Sequence, residues 1–164
     1  MLGLYYYLIF LVFFDNVNPL RATAILRNKG FPPSVCAWTL SFLTGRKVAI
    51  RMGHYISKPF PILNGTPQGS PLSPILSALY TSSLLDTAKS WQHADLSLYV
   101  NDSAIYTVST TLKATTKSAR TKYEAILTWL HENGLQTDAA KTELMTFTRK
   151  HANPKFIGPP IHGA

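Results

Sequence analysis

The chain has 164 residues, of which 46% are apolar and 15% are charged, a composition that belongs to a folded domain and excludes a disordered tail. A single cysteine, Cys36, excludes a disulfide framework and a cysteine-based zinc site. The 16 Lys and Arg residues exceed the 8 Asp and Glu residues and give a formal charge of +8, which favours a polyanionic partner, either nucleic acid or an acidic membrane surface.

The first fourteen residues are almost wholly apolar and carry no charge. They are too few for a membrane span, which needs about 20 apolar residues, and they lack the basic start of a signal peptide. Their aromatic and β-branched side chains predict a buried strand that begins near residue 8, after a leader formed by residues 1–7. Membrane insertion of residues 1–14 is the alternative.

Two helices are predicted next from their end signals. Asn18 is a suitable N-cap residue before Pro19, and Gly30 is suited to the position that follows a helix. Ser34 is predicted to cap the second helix, which ends at Gly45. The predicted inward face of the second helix carries three apolar residues: Val35, Trp38 and Phe42.

The remaining pattern combines hairpins with separate helices. A period of two from residue 46 predicts a strand that turns at Gly53-His54, and a Gly- and Pro-rich loop over residues 64–71 precedes an apolar helix. Two short strands around Asn101-Asp102, a long amphipathic helix closed by Gly134 and a last strand over residues 143–148 follow. The predicted inward residues of the long helix are Ala119, Tyr123, Ile126, Leu127 and Leu130. The fold class is therefore α+β, with an unstructured tail over residues 151–164.

The central loop reads Asn-Gly-Thr-Pro-Gln-Gly-Ser-Pro-Leu-Ser-Pro over residues 64–74. Its prolines stiffen the backbone, while Gly65 and Gly69 allow a partner to come close to it. Backbone N–H groups near a helix start are suited to a phosphate or a nucleotide. The alternative is an ordinary loop that leads into a helix.

A second motif, Tyr99-Val100-Asn101-Asp102, lies at the tip of the predicted hairpin. Asn-Asp is a natural pair for a tight turn, which is one interpretation of this motif. The other is a carboxylate that rigid strands aim at a divalent ion.

The order of these motifs resembles the reverse transcriptase domain of non-LTR (LINE-like) retrotransposons. The resemblance covers residues 8–150 and includes Phe-Phe-Asp-Asn-Val, the central loop, Tyr-Val-Asn-Asp and Gly-Leu-Gln-Thr-Asp-Ala-Ala-Lys-Thr-Glu. It implies a polymerase palm, an antiparallel sheet backed by helices, with the fingers largely and the thumb wholly absent. It also implies two Mg²⁺ ions, an RNA template, a DNA primer and deoxynucleoside triphosphates.

The resemblance assigns metal positions that this sequence has partly lost. It aligns Phe14 with the aromatic residue under the incoming sugar, which places the first metal-binding aspartate at Ile9. In an alternative register Asp15 itself is the ligand. In the hairpin, Asn101 replaces the first aspartate and Asp102 keeps the second, so Asn101 and Asp102 occupy catalytic positions of which only Asp102 supplies a charge.

Other positions keep the residue type that the resemblance implies. Gln68 and Gly69 correspond to residues that touch the nascent base pair and template, and Tyr99 is placed with this nucleotide and primer-template group. Lys141 corresponds to a catalytic lysine near the phosphates, and its alternative is a solvated surface lysine. A further basic group could meet backbone phosphates or form a solvated strand face: Arg46, Lys47 and Arg51.

The function expected from the resemblance is that of a fragment of an RNA-directed DNA polymerase which has lost its activity, because aspartates are replaced at Ile9 and Asn101. A non-catalytic, basic nucleic-acid-binding module is one alternative, and a small membrane-associated protein anchored by residues 1–14 is another. An intracellular location, in the cytoplasm or nucleus, is expected.

Overall fold

The computed structural model describes residues 2–11, 13–99 and 102–147, so the predicted tail lies outside the described residues. The chain forms two compact units. We call them the sheet unit, which comprises Met1–Leu11 and Thr81–Ala164, and the loop unit, which comprises Val12–Tyr80.

The sheet unit is organised around one central strand, β1 (Leu2–Leu11). On one side β1 pairs antiparallel with β7 (Asp102–Ser109), which in turn pairs with β6 (Ala94–Tyr99). On its other side β1 pairs with two later strands, β8 (Gln136–Thr137) and β9 (Glu143–Phe147).

The strand predicted for the apolar first segment is therefore confirmed, but it is longer than expected. Its pairing with β7 begins at Leu2, so residues 2–7 belong to the sheet and not to a separate leader. The physical reason is that ladder hydrogen bonds with β7 and β9 are available along this whole stretch.

Helix α5 (Leu112–Glu132) packs on β7 and β1 and has well-defined ends. The Thr111 hydroxyl accepts a hydrogen bond from the Ala114 N–H at 3.2 Å, and the Leu135 N–H closes the last turn on the Leu130 carbonyl at 2.8 Å. Four of the five predicted inward residues are buried, whereas Leu127 is half-buried. The 3₁₀ helix Ala139–Lys141 and the short strand β8 carry no periodic signal and were not predicted.

The loop unit begins with the short helix α1 (Phe13–Asn16), followed by α2 (Pro19–Asn28) and α3 (Pro33–Leu43). The predicted ends of α2 are confirmed: the Asn18 side chain accepts a hydrogen bond from the Arg21 N–H at 3.0 Å, and Gly30 follows the helix with φ of 82°.

Two predictions for α3 are wrong. The helix begins at Pro33, so Ser34 lies inside it and is not the cap; Pro32 is the N-cap residue, with no side-chain hydrogen bond. Trp38 and Val35 are exposed, because α2 packs on α3 and the buried residues of α3 are Cys36, Thr39 and Leu43. The Trp38 and Phe42 rings stack at a centroid distance of 5.2 Å.

Residues 46–62 form a hairpin that we call the basic hairpin. Its turn is the predicted Gly53-His54, with Gly53 at φ of 59°. The predicted continuous strand is interrupted after Val48, and Ser57 joins the arms because its N–H donates to the Ile50 carbonyl and its Oγ accepts from the Ile50 N–H, both at 2.9 Å. The four short strands are β2 (Lys47–Val48), β3 (Arg51–Met52), β4 (Tyr55–Ile56) and β5 (Phe60–Pro61).

Helix α4 (Leu72–Ala88) follows the central loop, as predicted. Its Tyr80 is buried, and burial raises the pKa of the hydroxyl, while a backbone hydrogen bond from Asn18 and the charge of Arg21 partly offset the rise. Among the helices in the described part of the chain, none combines the length and apolar character that a bilayer crossing requires.

Candidate nucleotide site

Three residues that the sequence analysis assigned to nucleotide or template contact line one cleft of the loop unit. These residues are Phe14, Gln68 and Gly69, and the cleft has a volume of about 510 Å³. The rest of its lining comes from the central loop and the first turn of α4: Ser70, Pro71, Ser73 and Pro74. The structure thus brings Phe14 against a loop that follows it by some fifty residues in the sequence.

Backbone hydrogen bonds hold the two sides of the cleft together. The Gly65 N–H donates to the Val17 carbonyl at 2.8 Å, and the Thr66 N–H donates to the Phe14 carbonyl at 2.7 Å. The second bond fixes the main chain of Phe14 directly, so the start of the central loop positions the aromatic ring that lines the cleft.

Gly65 is required for this arrangement, for a reason that differs from the prediction. Its φ is 89°, and a Cβ at this position would lie 2.9 Å from both the Asp15 Cα and the Phe14 carbonyl oxygen. The close partner of Gly65 is therefore the chain's own backbone and not a ligand. Gly69 has φ of 82° with nothing within 4 Å of a Cβ, so its backbone remains accessible at the cleft.

Arg46 supports the same loop. Its guanidinium donates to the carbonyls of Leu43 at 3.0 Å, Asn64 at 2.8 Å and Gly65 at 2.6 Å. These bonds engage three of the five N–H donors of Arg46 and give it a structural role, while its suggested contact with nucleic-acid phosphates stays a prediction. No short-range sequence pattern links Arg46 to residues 64–65, so only the fold reveals the contact.

The second half of the loop is fixed by serines. The Ser73 hydroxyl donates to the Pro67 carbonyl at 2.6 Å, and the Ser70 Oγ accepts from the Leu72 N–H at 3.3 Å. Gln68 and Gly69 lie between these anchors. The Thr66 hydroxyl is buried without a hydrogen-bond partner among the described residues. The cleft therefore offers an aromatic ring, an amide side chain and a glycine backbone on a rigid frame, a combination suited to a planar, polar-edged ligand.

The sheet unit contains the other candidate positions except Asp15, which belongs to the loop unit. Asp102 is the first residue of β7 and is the register partner of Tyr99 in β6 and of Ile9 in β1. The position that the resemblance assigns to the first metal-binding aspartate is thus paired with Asp102, although Ile9 occupies it. Asp15 lies in α1, after β1 has ended at Leu11, and is not part of the strand.

Asp102 and Tyr99 are both accessible to solvent. Asp102 is half-buried, and its carboxylate forms no hydrogen bond or ion pair with another residue of the described ranges. The Tyr99 side chain is 78% exposed. Asn101 lies outside the described residues.

Lys141 lies in the 3₁₀ helix and is exposed. Its Nζ is 3.5 Å from Oδ2 of Asp138, an ion pair of a kind that stabilises proteins little at the surface. Asp138 fixes the local turn, because its carbonyl accepts from the Lys141 N–H at 3.1 Å and from the Thr142 hydroxyl at 2.9 Å. The backbone of Lys141 is therefore held in place while its ammonium group remains accessible to solvent.

The donor set does not fit two Mg²⁺ ions. Mg²⁺ is held in proteins by carboxylates together with waters and substrate phosphates, but the residue paired with Asp102 is an isoleucine and Asn101 offers only a neutral amide, so a single carboxylate would have to serve both ions. Over residues 2–11, 13–99 and 102–147, no three His, Cys, Asp or Glu side chains are grouped closely enough to hold a metal.

Comparisons with known proteins agree with this arrangement of elements. A family model described as reverse transcriptase (RNA-dependent DNA polymerase) matches residues 10–161. The RNA-directed DNA polymerase from mobile element jockey of Drosophila melanogaster is 27% identical over 124 residues, which is 73% of this chain and 14% of that protein. The chain therefore spans a small part of the length of this curated relative.

Solved structures show the fold. Apo telomerase from Candida tropicalis, truncated from its C-terminal domain, superposes with a TM-score of 0.70 at 15% identity, over 93% of this chain and 32% of the other. Telomerase from Candida albicans in complex with a TWJ fragment of telomeric RNA gives a TM-score of 0.67 at 12% identity, over 96% and 29%. The predicted α+β, palm-like fold is confirmed. The chain belongs to the reverse transcriptase family, and its likeness to the jockey polymerase supports the resemblance to the reverse transcriptase domains of non-LTR retrotransposons.

Proposed function

We propose that this domain retains the nucleic-acid- and nucleotide-binding part of a reverse transcriptase but does not catalyse nucleotide addition. The single observation that carries the proposal is the register of β1 against β7, in which Ile9 pairs with Asp102. A carboxylate at position 9 would be the cross-strand neighbour of Asp102, and directly opposite residues in antiparallel strands have Cβ atoms about 4.5–5.5 Å apart.

The proposed loss of activity follows from charge. Mg²⁺ gives up part of its hydration shell on binding, and carboxylates offset that cost. With Ile9 and Asn101 in the two other ligand positions, Asp102 is the only carboxylate among the three. Because nucleotidyl transfer depends on metals that stabilise the attacking and leaving oxygens, we expect turnover to be lost.

The proposed binding function is supported by the cleft. Phe14, Gln68 and Gly69 are held together on a frame that needs no metal, so a template strand with its primer and a deoxynucleoside triphosphate are the proposed ligands. The exposed backbone of Gly69 and the amide of Gln68 are the groups available to a base pair.

Primer extension tests the proposal. The full chain is incubated with an RNA template annealed to a DNA primer, with Mg²⁺ and separately with Mn²⁺, beside the Asp102→Ala variant. We expect no extension above a protein-free control in either protein. Extension by the parent chain that disappears in Asp102→Ala would overturn the proposal.

Restoration of the ligands locates the defect. The double variant Ile9→Asp, Asn101→Asp is expected to gain extension, and adding Asp102→Ala to it should remove that gain. Circular dichroism confirms that the double variant is folded, and template binding confirms that it is loaded. A folded, loaded double variant that still extends nothing would remove the ligand explanation.

A further inference from the structure

The tip of the basic hairpin is exposed on both faces. Cross-strand pairing places Met52 opposite Tyr55 and Arg51 opposite Ile56. Since successive strand residues point to opposite faces, these two pairs lie on different sides of the ribbon. Yet Met52 is 67%, Tyr55 62% and Ile56 53% exposed, so neither side of the tip is covered by the described chain.

Such a ribbon is poorly stabilised by itself. An isolated two-stranded hairpin is marginally stable in water, and adjacent exposed apolar side chains mark interaction sites. The exposed side chains of the basic hairpin therefore indicate a binding site. The charges near it indicate whether the partner is anionic or cationic.

The charge of the loop unit is strongly one-sided. The loop unit has seven Lys or Arg residues but only one acidic residue, Asp15. The next acidic residue along the chain is Asp86, which lies outside the loop unit. Arg46 is engaged by backbone carbonyls, but Lys47, Arg51 and Lys58 of the basic hairpin are exposed. With no carboxylate in this stretch to neutralise them, they create a positive field around the tip.

We infer that the tip of the basic hairpin binds single-stranded nucleic acid, with Tyr55 stacked on an unpaired base and the three lysine and arginine side chains attracting the phosphates. An exposed aromatic ring beside cations is the combination that binds unpaired bases. This surface is distinct from the cleft at Phe14. The inference rests on the nucleic-acid binding in the proposed function and adds to it a second contact outside that cleft.

The test is fluorescence anisotropy of the full chain with a short labelled single-stranded RNA and with the same RNA as a duplex. We expect Tyr55 to contribute to binding of the single strand and not to binding of the duplex, because the cleft at Phe14 is the proposed site for a paired template and primer. Tyr55→Ala should weaken single-strand binding about 5- to 100-fold, whereas Tyr55→Phe, which keeps the ring, should bind as the parent does. Arg51→Gln should reduce the slope of log affinity against log salt by about 0.7.

Matched controls distinguish a specific effect at the hairpin tip from a general effect of removing an exposed ring or charge. Trp38→Ala removes another exposed aromatic ring, on α3, and Lys113→Gln removes an exposed charge on α5; we expect both to bind RNA like the parent. Because the tip is exposed, thermal unfolding should be the same for the parent and for the Tyr55 and Arg51 variants.

Several results would overturn the inference. Unchanged single-strand binding by Tyr55→Ala, or an equal loss of duplex and single-strand binding, would remove the hairpin contact and leave the proposed function standing. If the parent chain bound no RNA, both this contact and the binding part of the proposed function would be wrong. The proposed lack of catalytic activity is tested separately, by primer extension. Binding to phosphatidylserine vesicles that Tyr55→Ala abolishes, with RNA binding kept, would assign the tip to an acidic membrane surface instead.

Discussion

In the loop unit, the candidate residues are fixed by main-chain hydrogen bonds and by a glycine that no other residue can replace, whereas in the sheet unit Asp102 and position 9 are placed by strand register. The cleft at Phe14 depends on the backbone conformation of Gly65, and the same conformation helps to stabilise the fold of the loop unit. Asp102 and Ile9 occupy paired positions that backbone hydrogen bonds hold whatever the side chains are. A sheet of this kind can lose metal ligands and keep its fold, but the central loop cannot lose its glycine and keep the cleft.

Gly65→Ala is expected to give the largest effect on stability. The new Cβ would lie 2.9 Å from the Asp15 Cα, and φ of 89° is unfavourable for alanine, so we expect a loss of about 3 kcal/mol or more in the free energy of unfolding. Urea denaturation measures it. Gly45→Ala is the matched control: its φ is 70° with open space around it, so only the backbone term of about 1–2 kcal/mol remains. Equal losses in the two variants would contradict the close-contact argument.

Arg46→Ala should have the next largest effect, about 2–3 kcal/mol, because three carbonyls lose a charged donor. Arg46→Lys should recover only part of this, since an ammonium group lacks the planar set of donors. Denaturation curves for both, with Arg51→Ala as an exposed control on the same hairpin, test the assignment. If Arg46→Ala left the free energy of unfolding unchanged, the structural role would be wrong, and Arg46 would again be a candidate for a solvated or phosphate-binding residue.

Asn18→Ala and Ser34→Ala test the two helix starts in the loop unit. The Asn18 side chain accepts a hydrogen bond at the start of α2, so its loss should cost about 1 kcal/mol. Ser34 lies inside α3, which has no side-chain cap, so Ser34→Ala should change stability by less than about 0.5 kcal/mol. Thermal unfolding of the two variants ranks them, and the reverse order would support the cap predicted from sequence.

Asp102→Asn should have the smallest effect. The carboxylate makes no ion pair or hydrogen bond with other residues in the described ranges, so the free energy of unfolding should change by less than about 0.5 kcal/mol. Denaturation at neutral pH measures it. A change of more than about 1 kcal/mol would show that Asp102 supports the sheet and would weaken the contrast between the two units.

Local signals predicted the parts of the fold that local interactions determine. Asn18, Gly30 and Gly134 mark helix ends because capping involves residues within one turn. The buried face of α3 could not be predicted, because apolar residues surround that helix and its partner α2 decides which of them are buried.

The hydrogen bonds that build the cleft could not be predicted from sequence. The resemblance grouped Phe14 with Gln68 and Gly69, and these three residues line one cleft, while their contact with a nucleotide or template stays a prediction. The bonds from Gly65 to Val17 and from Arg46 to Asn64 join residues that are distant in sequence, so periodicity and turn signals contain no information about them. The pairing of Ile9 with Asp102 is likewise a property of the assembled sheet.

The position of β1 in the sheet has a consequence for biosynthesis. This ten-residue apolar strand precedes in the chain every strand with which it pairs, and the last of its partners ends at Phe147. Contacts between residues so distant in sequence form slowly, and an uncovered apolar strand is prone to aggregate. The centre of the sheet is thus synthesised before all the strands that cover its edges, so we expect the yield of folded protein to depend on how well β1 is protected until those strands follow.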